Sequence, residues 1–99
     1  FNLKEPVILE GVKSDLFLDA RGKYCPEPIT MTAKKMREEV QVGKTIEVWA
    51  EDDAAIDDFT RWCKRTGHEL LGYIDDASIE IKLPKAKIVR KFFIKKTHQ

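Results

Sequence analysis

The sequence predicts an α/β two-layer sandwich of order β-α-β-α-β-β, with a mixed four-stranded sheet and two helices on one face. Three observations predict it. Two stretches carry apolar residues at helical spacing, and each follows a short run that reads as a strand. Gly43 and Gly67 stand just past those stretches, where helical segments stop. Two further apolar runs then flank Asp75-Asp76, as strands joined by a tight turn do. Helices that cross between strands of one sheet lie against that sheet, which gives two layers.

The elements follow in chain order. Leu16-Phe17-Leu18 reads as the first strand. Pro26 to about Glu39 reads as the first helix, with Ile29, Ala33, Met36 and Val40 turned to the core. Glu27, Thr30, Lys34 and Arg37 form the opposite stripe, facing water or a partner. Thr45 to Ala50 alternates and reads as a strand. Asp52 or Asp53 caps a second helix that runs to about Thr66, with Ile56, Phe59, Trp62 and Cys63 on one face. His68 to Ile74 reads as the third strand. Ser78 to Leu83 reads as the fourth, closing a hairpin that Pro84 ends.

This divides the chain into an N-terminal extension (1–15), a domain (16–83) and a basic C-terminal extension (84–99). In the first, Pro6-Val7-Ile8-Leu9 reads as an extra edge strand or a flexible arm. In the last, residues 85–96 alternate in part but contain adjacent Phe92-Phe93, so a fifth strand and an amphipathic helix are both open.

The 99 residues suffice for one small domain with one core. With 42% apolar and 35% charged residues, the composition is that of a soluble globular protein. No apolar run is long enough to cross a membrane, and no secretory signal pattern is present, so a cytoplasmic location is expected. The first residue is Phe1, which suggests a trimmed or processed chain. Two cysteines are too few for a disulfide scaffold. The absence of Cys-x-x-Cys or clustered Cys/His spacing argues against zinc, and there is no Gly-rich phosphate loop, so no cofactor or metal is expected. Charge is unevenly placed. Residues 1–81 hold 11 basic and 17 acidic side chains, whereas residues 82–99 hold 7 basic and no acidic ones.

The most informative stretch is Leu18-Asp19-Ala20-Arg21-Gly22-Lys23-Tyr24-Cys25-Pro26-Glu27-Pro28. A residue before proline is pushed out of the helical region, so Cys25 reads as the N-cap, with Pro26 at the first helical position. Pro28 is tolerated inside the first turn. Gly22 fits a tight turn. A helix start offers free N–H groups and partial positive charge, which favour thiolate, the nucleophilic form. The two prolines remove donors and Glu27 adds negative charge, so a modest lowering of the Cys25 pKa is expected.

The order Leu18, Asp19, Gly22, Cys25, Pro26, Pro28 resembles the signature of the TusA/SirA-type sulfur carriers. Glu51-Asp52-Asp53 after a strand, and Trp62-Cys63 ahead of Gly67-His68-Glu69-Leu70, extend the resemblance over roughly residues 16–83. Ala54 departs from it, since many relatives carry proline there; alanine also starts helices well. The resemblance implies the same sandwich fold. It also implies a sulfurtransferase-type carrier that accepts sulfane sulfur on Cys25, as persulfide or thiosulfonate. The implied donors are a cysteine desulfurase or a rhodanese-like protein. The implied acceptors act in tRNA thiolation, cofactor sulfuration or dissimilatory sulfur oxidation.

The remaining candidates have two readings each. Asp19 orients the loop under Cys25 or simply holds a turn. Cys63 packs as a small hydrophobe or serves as a second thiol; a redox pair with Cys25 would require Cα atoms within about 7 Å. Asp52 and Asp53 read as caps ahead of a metal pair. His68 reads as a strand-start residue ahead of a partner for the nucleophile, and His98 as exposed. Thr30, Met31, Lys34 and Arg37 form either a solvated face or the docking surface for donor and acceptor proteins. The basic tail, with Phe92 and Phe93, offers an RNA- or protein-binding module in which Cys25 is incidental, though nucleic acid is disfavoured. Oligomeric state is left open.

Overall fold

The computed structural model describes residues 14–98. Six elements follow in order: β1 (Leu16–Asp19), α1 (Glu27–Glu38), β2 (Thr45–Ala50), α2 (Ala55–Thr66), β3 (Glu69–Asp76) and β4 (Val89–Lys95). They form one mixed sheet of strand order β1-β2-β4-β3, in which β1 runs parallel to β2 and β4 runs antiparallel to both its neighbours. The expected element order and sheet type hold. Pro6 to Leu9 lies outside the described residues.

The core is the sheet face that alternation assigns to it. Ile46, Val48 and Ala50 of β2 are buried, while Glu47 and Trp49 between them are half-buried. Register pairs Ile46 with Ile94 and Val48 with Phe92. These residues share one apolar cluster with Met36 of α1 and with Phe59, Trp62 and Cys63 of α2, so both helices pack on the same face. Phe92 lies at its centre, its ring 4.7 Å from Phe59 and 5.4 Å from Tyr73. On the other face Phe17 meets Trp49 edge to face at 4.8 Å, and the Arg21 guanidinium lies 5.2 Å from the Trp49 ring centre.

The fourth strand is where sequence and structure differ. Ser78 to Leu83 is not a strand. The chain spends residues 77–88 on a loop, and β4 comes from Val89–Lys95, inside the segment read as a C-terminal extension. The reason is hydrogen bonding. The Lys82 and Leu83 amides donate to a carboxylate, Glu51, rather than to a neighbouring strand. Adjacent Phe92 and Phe93 broke the alternation, yet both are buried, one on each face of the sheet. Nor does the basic tail form a free arm. Arg90 pairs with Asp53 at 3.2 Å and with Asp75 at 3.1 Å, and Lys91 with Asp76 at 2.8 Å. Lys96 is 5% exposed, and its ammonium donates to the Met36 and Val40 carbonyls at 2.8 Å each, just where α1 ends. A buried cation there satisfies carbonyls that a helix end leaves without partners.

Two expectations follow. A chain ending at Pro84 lacks the strand between β2 and β3 and should show no cooperative thermal unfolding by circular dichroism; a retained transition would mean that the first three strands fold alone. Lys96→Met leaves two buried carbonyls unpaired and should cost about 1–3 kcal/mol in urea unfolding.

Candidate functional site

β1 and β2 are parallel, so the loops leaving their C-terminal ends emerge on the same side of the sheet. One loop carries residues 20–26; the other begins at Glu51. Their meeting builds the site.

Glu51 is 1% exposed. Its carboxylate accepts hydrogen bonds from the Gly22 amide at 2.7 Å, the Leu83 amide at 3.2 Å and the Lys82 amide. A buried carboxylate is costly without such donors, and three backbone N–H groups supply them. Gly22 adopts φ +84, in the left-handed region, while a Cβ there would meet only the Lys82 Cβ at 3.7 Å. Backbone conformation rather than space therefore calls for glycine.

Asp52 works on the next turn. One carboxylate oxygen accepts the Cys25 amide at 2.9 Å, and the other accepts the Ala54 amide at 3.0 Å just ahead of α2. The helix cap expected of Asp52 is not formed, because Ala54 is the N-cap and no side chain caps α2; Asp52 instead closes the turn ahead of the helix and anchors the cysteine's backbone. Asp53 pairs with Arg90 and caps nothing. Asp19 is a turn residue. It accepts the Arg21 amide at 3.0 Å and the Arg21 guanidinium at 3.0 and 2.9 Å, and that pairing holds its pKa below the usual carboxylate value. Arg21 in turn donates to the Glu80 carbonyl at 2.9 Å, tying down the loop before β4.

Cys25 is exposed. α1 starts one residue later than expected, with Pro26 at the N-cap and no side-chain cap. The cysteine opens on a cleft of about 270 Å3 lined by Pro26 and Ile29 on one side and by Asp58, Arg61, Trp62 and Arg65 of α2 on the other. Its pKa is raised, not lowered. Hydrogen bonding with the Asp58 carboxylate is the first cause, followed by desolvation and by the negative charges of Asp58 and Asp52; Arg61 opposes them. The local expectation from the helix start is overridden by carboxylates that tertiary structure brings from α2 and the turn before it.

The other candidates scatter. Glu27 is exposed and reaches Lys23 at 3.9 Å. Pro28 is buried in the first turn of α1. Thr30 is exposed and donates to the Pro26 carbonyl at 3.2 Å. Met31 and Lys34 line a separate groove with Leu18, Lys35, Glu38 and Glu39, and Arg37 is exposed beside Glu38. Cys63 is buried, which pushes its thiol up to about 12. His68 contacts Trp62 and His98 rather than the cysteine. Sequence reasoning missed Glu51, Asp58, Arg61 and Arg65. The last three recur at helical spacing beside the apolar stripe of α2, a signal that points to the cleft only once α2 is known to face Cys25.

If Glu51 fixes the loop, Glu51→Gln replaces an acceptor oxygen by an NH2 group aimed at backbone N–H. A loss of about 3 kcal/mol is expected in urea unfolding, with faster hydrogen exchange at Gly22, Lys82 and Leu83. Unchanged exchange at these amides would contradict the anchor.

Comparison with known proteins places this arrangement. The family described as Sulfurtransferase TusA matches residues 16–85. YrkI of Bacillus subtilis (strain 168) is 46% identical over 68 residues, covering 69% of this chain and 89% of the relative. Sulfur carrier protein TusA of Buchnera aphidicola subsp. Baizongia pistaciae (strain Bp) is 34% identical over 82 residues, covering 83% and 90%. The crystal structure of a SirA-like protein from Desulfitobacterium hafniense superimposes with a TM-score of 0.59 at 17% identity, over 84% of this chain and 99% of that one, and so shares the fold. With that match across the residues that form the cysteine loop and both helices, the chain belongs to the TusA sulfur-carrier family.

Proposed function

We propose that this protein accepts sulfane sulfur on Cys25 and passes it to an acceptor protein. The observation that carries the reading is the exposed Cys25 at the head of α1, fixed through its own amide by Asp52 at the mouth of a cleft. Exposure lets a second protein reach the sulfur, and a fixed backbone presents it in one place.

In the loading step the Cys25 thiolate attacks the outer sulfur of a donor persulfide. An S–S bond forms to Cys25, the donor S–S bond breaks, and the donor leaves as thiolate. In the unloading step an acceptor thiolate attacks the terminal sulfur on Cys25, takes it as its own persulfide, and returns Cys25 as thiolate. Sulfur and charge balance in both steps, and no cofactor enters. A thiosulfonate group would travel by the same exchange. The donor fitting this chemistry is a cysteine desulfurase or a rhodanese-like protein. Fitting acceptors are sulfurtransferases of tRNA thiolation, cofactor sulfuration or sulfur oxidation. We place the exchange in the cytoplasm, where an exposed unpaired thiol stays reduced. The RNA-binding alternative draws no support from Arg90 and Lys91 of β4 or from Lys96 just beyond it, all three engaged inside the fold.

After incubation with polysulfide, intact mass should show added sulfur on the unsubstituted protein and on Cys63→Ala, and none on Cys25→Ala. Loading that survives Cys25→Ala would refute the proposal.

A further inference from the structure

The cleft beside Cys25 holds more charge than a simple presenting surface requires. Asp58 and Arg61 lie on its α2 wall and pair with each other at 3.0 Å; the Asp58 side chain is 14% exposed and that of Arg61 76%. Arg65 completes that wall one turn further on. From the turn after β2, Asp52 holds the Cys25 amide. From the loop and the first turn of α1, Lys23 and Glu27 pair with each other at 3.9 Å in solvent. Of these groups, Asp58 is the mostly covered carboxylate that shares a cleft with the sulfur.

We propose that Asp58, anchored by Arg61, is a positioning residue for Cys25: it accepts a hydrogen bond from the resting thiol, which keeps its proton, and so holds the free carrier in its unreactive form. The proposal deepens the sulfur-carrier reading and takes its biological meaning from it. A thiol displayed on a surface meets oxidants and electrophiles continually, and thiolate is the form they attack. A carboxylate beside the sulfur disfavours the thiolate until its charge is offset. Arg61 has the opposite effect on the sulfur and also holds the carboxylate in place. The pair therefore sets the pH at which Cys25 becomes a nucleophile, and substitutions of its two members should move that pH in opposite directions.

The test is the pH dependence of iodoacetamide alkylation at Cys25 in the full chain, followed by peptide mass mapping. Cys25→Ala serves as the blank for the map. Asp58→Asn removes the negative charge at nearly constant shape. Its alkylation profile should move to lower pH, with a several-fold faster rate at pH 7. Arg61→Ala should move the profile to higher pH, with a slower rate at pH 7. Asp58→Glu, which keeps a carboxylate on the same wall, should restore a profile near that of the unsubstituted protein. An Asp58→Asn profile that coincides with the parent, or shifts of the same sign in Asp58→Asn and Arg61→Ala, would overturn the proposal. Circular dichroism of each variant at the assay pH separates these results from unfolding, and Arg61→Ala, at a mostly exposed position, provides the second arm if Asp58→Asn does not fold. Alkylation of the unloaded protein reports on the Cys25 thiol independently of any carrier activity. Failure here with polysulfide loading intact would leave the carrier reading standing, and the reverse result would do the opposite.

Discussion

One buried carboxylate organises the functional end of this molecule. Glu51 stands where β2 ends and gathers the Gly22, Lys82 and Leu83 amides onto two oxygens. Those amides belong to two different loops, and neither has a strand partner for them. A covered backbone N–H without an acceptor is costly, so the carboxylate stabilises both loops in this form, most of all at the buried Leu83 amide. Asp52, the next residue, turns the other way and fixes the Cys25 amide. Adjacent acidic residues thus share the work: one closes the base of the loop, the other sets its reactive tip.

Much of this was visible in the residues, and the failures have physical causes. Elements governed by local pattern appeared where expected. α2 ends at Gly67 in the left-handed conformation, and β2 alternates as written. The last strand did not appear where expected, because alternation records what a segment is able to do and not which acceptors are free. Residues 78–83 have the pattern of a strand, yet their amides turn to Glu51 and the Glu80 carbonyl to Arg21. Val89 to Lys95 alternates only in part because both faces of the sheet are covered at Phe92 and Phe93, and a strand buried on both sides has no reason to alternate there.

The site divides in the same way. Cys25, Gly22 and the prolines belong to a contiguous motif and were legible. Asp58, Arg61 and Arg65 reach the cysteine only because α2 packs beside α1, which sequence spacing does not encode. The Cys25 pKa departs from the local expectation for that reason: the helix start is a local feature, whereas the carboxylates acting on the sulfur come from a distant part of the chain. The charge asymmetry between body and tail also resolves on folding. Arg90 and Lys91 of β4 meet Asp53, Asp75 and Asp76 of the acidic body, so a contrast along the chain becomes neutralisation across the sheet.

Helix α1 is tethered at both ends, by Asp52 at the cysteine and by Lys96 at the Met36 and Val40 carbonyls. Carriers that move a group on a long flexible arm, as lipoamide does, let one arm visit several sites. On the proposed reading the cargo sits on a short side chain, Cys25, at the head of a helix held at both ends. Reach has to come from the visitor. On that reading one exposed cysteine is a single attachment point, so loading by the donor and unloading by the acceptor are successive events at one spot on the surface.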